Sequence, residues 1–98
     1  MTLDPEVRAF ANLLHEIEAL LTEHDQTHWA AKVASCLARV ERSDAHGLHQ
    51  FLSFFGGMGS LNDVLLCRDG NELSASTDKL RALLGQAYEA GRRLEREA

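Results

Sequence analysis

No run of apolar residues approaches the roughly 20 needed to cross a bilayer, so the sequence offers no membrane-spanning helix. Nor does the opening Met-Thr-Leu-Asp-Pro carry the basic and then apolar stretches of a secretory leader, and a cytoplasmic protein is expected. Cysteine is scarce. Cys36 and Cys67 are too few for a disulfide scaffold and form no C-x-x-C motif, and the apolar neighbours of each suggest two buried thiols. Basic residues are in deficit, 10 against 15 acidic for a net charge of -5. Phosphate backbones are bound chiefly through Lys and Arg, so direct nucleic-acid binding is not expected. The one basic cluster, Arg92, Arg93 and Arg96, sits where the end of a helix welcomes positive charge.

What remains is ordinary globular material. An apolar fraction of 45% with 26% charged residues fits neither a disordered chain nor a fibre, and 98 residues make a single domain, 1–98. A chain this short closes one core but has little room around a deep active site.

Helical spacing dominates the pattern. Asp4 is placed to cap a first helix with Pro5 at its first position, and Val7, Phe10, Leu14, Ile17 and Leu21 then recur on one face, ending near His24. A second helix follows Asp25 with Trp29, Val33, Cys36, Leu37 and Val40 on its stripe, and the short link forces the two to lie antiparallel. Ser43 and Asp44 offer a cap for a third, carrying Leu48, Phe51, Leu52 and Phe55 and ending at Gly56, Gly57 and Gly59. Leu61 to Cys67 is too short to separate a strand, a loop and a helical turn, and is read as extended; a small hairpin could form there, with Asp69 and Gly70 as its turn signal. Ser74, Ser76 or Thr77 then caps a last helix with Leu80, Leu83, Leu84, Ala87, Gly91 and Leu94 in its stripe, where small Ala87, Ala90 and Gly91 permit close helix approach. The fold class is all-α: a compact four-helix domain with a glycine-rich irregular connection between helices 3 and 4, helix taking roughly 60% or more of the residues. Phe10, Trp29, Phe51, Phe54 and Phe55 are assigned mostly to its core.

Chemical motifs are thin. His24 and His28 straddle a helix break, no Glu follows His24 as H-E-x-x-H requires, and neither cysteine has a near partner, so no metal or cofactor is expected. Cys36 on an apolar stripe should have its thiol pKa raised and its reactivity blunted. Glu16 and Glu18, two apart on a helix, do not face each other for acid/base work. The reading is therefore a protein that is not an enzyme. The stretch Phe55-Gly56-Gly57-Met58-Gly59-Ser60-Leu61-Asn62-Asp63 lacks the lysine of a phosphate loop. Its glycines serve tight turns or let a partner backbone come close beside an apolar Met58 tip.

Phe55 to Asp63, with His28-Trp29 and Ser43 to Leu48, resembles a family of small, functionally uncharacterised bacterial proteins with an F-G-G-M-G-S-x-N-D signature, from which no catalytic residues carry over. Asp44 to Leu52 and Leu80 to Arg92 look like the helical immunity proteins that neutralise type VI secretion toxins, although those lack the glycine-rich loop. That second resemblance implies an acidic cytosolic inhibitor whose partner is a cognate protein toxin. The expected partner-binding residues are Gly56, Gly57, Met58, Ser60, Asn62, Asp63, Asp69 and Glu72. The alternative is a small helical adaptor or regulatory subunit acting by protein-protein interaction, for which a homodimer through the small residues of the last helix is one form.

Overall fold

Asp4 and Pro5 start the first helix as the sequence implies. In the computed structural model of the chain, which describes residues 4–55, 60–68 and 70–97, α1 spans Pro5–Glu23. The Asp4 carboxylate accepts the Glu6 amide at 2.9 Å, and Pro5 has no amide to leave unpaired. Phe10, Leu14, Ile17 and Leu21 are fully buried. α2 is Thr27–Glu41, and its Val33, Cys36, Leu37 and Val40 complete the same core.

Both links out of these helices use one device. After α1, the Gln26 amide returns to the Leu21 carbonyl at 2.9 Å and the Asp25 amide to Thr22 at 3.2 Å, with Asp25 at φ 60°. After α2, Asp44 bonds back to Arg39 at 2.9 Å and Ser43 to Val40 at 3.0 Å, with Ser43 at φ 61°. These are Schellman turns with a left-handed residue where glycine is usual, and they reverse the chain within three residues. α1 therefore packs along α2. Asp44 closes one helix and opens the next, because its carboxylate also accepts the His46 amide at 2.9 Å and caps α3, Ala45–Leu52.

α3 ends earlier than its glycines suggest. The Phe54 amide bonds to Phe51 O at 3.0 Å and Phe55 to Leu52 O at 3.4 Å, tightening the chain into i,i+3 turns, while the Ser53 hydroxyl donates to Gln50 O at 2.6 Å. Phe54 and Phe55 thus stand outside the helix. Further on, the Leu61 amide donates to the Phe54 carbonyl at 2.9 Å and ties the ends of the glycine connection together.

The segment read as extended begins instead with a single 3₁₀ turn, Leu61–Asp63, and is extended only afterwards. β1, Cys67–Arg68, pairs antiparallel with β2, Asn71–Glu72, Cys67 opposite Glu72 and Arg68 opposite Asn71. Gly70, at φ 81°, takes the left-handed turn position between them. Cys67 is exposed, contrary to the expectation of a buried thiol: Leu66 fills the core, and the two-residue strand that follows faces solvent.

α4 spans Ser74–Glu97 and buries Leu80, Leu83, Leu84, Ala87 and Gly91 against α1 and α3. Ser74 is its first residue, and Thr77, expected as a cap, sits 1% exposed inside the first turn. Helix accounts for 77% of the described chain, as the expectation of roughly 60% or more requires, and the strands add only a small hairpin.

Candidate functional site

Of the residues expected to meet a partner, Asp63 and Glu72 are exposed, Asp63 closing the 3₁₀ turn and Glu72 on β2. Asn62 lies in the same 3₁₀ turn. Ser60 is only 8% exposed and presents little surface. Gly56, Gly57, Met58 and Asp69 lie outside the described residues.

The most developed feature around this connection is aromatic. Phe51, fully buried, meets Phe10 edge-on at 5.5 Å in the core and then Phe54 at 6.3 Å and Phe55 at 5.2 Å. From Phe54 the contacts continue to Trp29 at 5.5 Å and on to exposed His28 at 5.6 Å; from Phe55 they continue to Tyr88 at 4.9 Å. Lys32 caps the first branch, its ammonium 4.9 Å from the Trp29 ring centre and 5.7 Å from that of Phe54. The aromatic set assigned to the core therefore divides: Phe10 and Phe51 are interior, whereas Trp29, Phe54 and Phe55 are half-buried at the surface. The early exit from α3 causes this, because it sends Phe54 towards α2 and Phe55 towards α4.

Tyr88 was not singled out by the sequence, although it is the only tyrosine and directly follows Ala87 of the apolar stripe. Beside it, Phe55, Arg81, Leu84 and Gly85 line an open cleft of about 500 Å³. A Cβ at Gly85 would meet no described atom within 4 Å, so packing within the chain does not require glycine there. Of the small residues expected to admit a second copy, two are occupied within the chain: Ala87 is fully buried, and a Cβ at Gly91 would lie 3.1 Å from Leu52 and 3.4 Å from Phe10, while Ala90 is half-buried.

Burial pushes the Cys36 thiol up to about 12, leaving it protonated and unreactive at neutral pH. The histidines disperse to separate partners. His24 Nδ1 lies 2.9 Å from the Leu20 carbonyl and so carries the proton, while His15 pairs with Glu41, His46 with Asp44 and His49 with Glu95. Among the described residues, no group of three or more His, Cys, Asp or Glu side chains is placed to hold a metal ion.

Residues 22–74 match a family described as a domain of unknown function, DUF6966. The match runs from the end of α1 to the first residue of α4, so it includes Trp29, Phe54, Phe55 and the hairpin but not Tyr88. Neither a curated protein nor a solved structure matches the chain.

Proposed function

We propose that this chain, which belongs to the DUF6966 family, is a non-catalytic immunity protein that binds and neutralises a cognate bacterial toxin domain through the surface around its glycine connection. The observation carrying this reading is the run of rings from Phe51 outward to half-buried Trp29 and Tyr88. Rings held by edge-on and tilted contacts lose little freedom on binding, and Trp and Tyr are enriched among interface anchors. Asp63 and Glu72, exposed on the adjacent turn and hairpin, and the net charge of -5 favour a partner with a basic pocket, speeding encounter and aligning the complex.

Immunity proteins are encoded beside their toxins, so the test is to express the neighbouring reading frame in a bacterial host with and without this chain. Growth arrest that the wild type relieves, and that Trp29→Ala relieves less well, supports the reading. A harmless neighbour that forms no complex with the chain contradicts it.

A further inference from the structure

A groove lined by none of Trp29, Phe54, Phe55 and Tyr88 lies at the end of the bundle where α1 and α3 begin and α2 and α4 finish. Its inner part, about 250 Å³, has Val7, Phe10, Leu48 and Leu94 as its apolar lining and the Asp4 and Asp44 carboxylates on its rim. It continues past Asp4, Val7 and Leu94 into a second hollow of about 550 Å³ bordered by Glu6 and Glu97. Every charged side chain lining either hollow is acidic.

Two of the rim carboxylates also cap helices: Asp4 accepts the Glu6 amide, and Asp44 accepts the His46 amide and lies 3.1 Å from the imidazole Nδ1 of the same residue. The neighbouring Glu97 carboxyl, and Asp4 to a lesser extent, hold the Glu6 carboxyl above its ordinary value, Arg93 opposing them only in part. A cation among these groups would relieve like-charge repulsion. An anionic lipid surface or phosphate would be repelled, and a neutral apolar ligand would leave the rim uncompensated.

We propose that this groove docks a basic, apolar-faced segment of a partner protein, with an aliphatic or aromatic side chain between Val7, Leu48 and Leu94 and a flanking Lys or Arg among Asp4, Glu6 and Glu97. The occupant is chosen by charge complementarity: the apolar floor would accept many side chains, but the rim selects those next to positive charge. The inference stands apart from the toxin reading, because it concerns another surface.

The probe is a capped amphipathic Leu/Lys peptide, with a Leu/Glu peptide of the same length beside it, titrated into the full chain while methyl resonances are followed by NMR. The Leu/Lys peptide should shift the methyls of Val7, Leu48 and Leu94, and Glu6→Gln with Glu97→Gln should weaken it by roughly tenfold. Glu16→Gln with Glu89→Gln removes the same charge from exposed positions outside the groove and should change affinity by no more than about twofold. Undisturbed groove methyls, equal binding of the Leu/Glu peptide, or equal weakening by the two double variants would overturn the proposal.

Discussion

The amide of Leu66 donates to the hydroxyl of Thr77 across 3.0 Å, with both residues sealed from solvent. Together with the Leu73 amide bonding to Leu66 O at 2.7 Å, it fastens the irregular connection to the first turn of α4. Thr77→Val keeps the shape but leaves a buried N–H unpaired, which destabilises by about 1–3 kcal/mol, whereas Thr77→Ser should stay close to the wild type. Urea unfolding checks this, and equal midpoints for Val and Ser would contradict it.

Two helical glycines should respond in opposite directions to alanine. A Cβ at Gly47 would fall 2.8 Å from the Cys36 carbonyl oxygen and 3.0 Å from the Val40 nitrogen, and backbone cannot step aside. Gly47→Ala should therefore destabilise by about 1–3 kcal/mol as α3 is pushed off α2. Gly85→Ala meets open space and should stabilise by about 0.5–1 kcal/mol through helix propensity. Thermal unfolding of both variants gives the two signs.

The thiols should separate cleanly. Exposed Cys67 should react promptly with a disulfide reagent near pH 8, while Cys36, buried and pushed up to about 12, should react only on unfolding. A colorimetric thiol titration should count one fast thiol in the native protein and two in denaturant; two fast thiols without denaturant would contradict the burial of Cys36.

The sequence revealed most where the chain is long and periodic. The stripes of α1, α2 and α4 repeat often enough to fix both type and face, and Asp4-Pro5 and Asp44 announce helix starts through donors that the first turn leaves unpaired. Short pieces were less readable. Three glycines pointed to the end of α3, yet i,i+3 bonds stop it at Leu52, and the partly exposed aromatic surface follows from that shift. Cys67 has apolar neighbours in sequence but follows Leu66 out of the core, and no local pattern distinguishes two residues of strand from loop. The acidic groove joins the first turn of α1 to the last of α4, a pairing that only the packed fold creates.

Asp44 gives the fold a signature in acid. The His46 amide bond, aided by the imidazole and by Arg39, holds its carboxyl below the ordinary 3.8. A lowered carboxylate contributes stability that is complete above the unfolded value and lost as pH falls through the lower folded one. Asp44→Asn keeps the cap without the titration, so the wild type should lose more stability than this variant between roughly pH 5 and pH 2. Parallel acid dependence of the two unfolding midpoints would show that the cap charge contributes nothing.

The account turns on whether the rings around the glycine connection are binding anchors. The direct measurement is calorimetric titration of the neighbouring reading frame's product with wild-type chain, Trp29→Ala and Tyr88→Ala, with circular dichroism confirming that each remains folded at the working temperature. Each alanine should weaken binding by about 2 kcal/mol or more, roughly thirtyfold, as expected for interface anchors. Wild-type binding that both folded variants reproduce within about twofold would place the interface elsewhere and contradict the account.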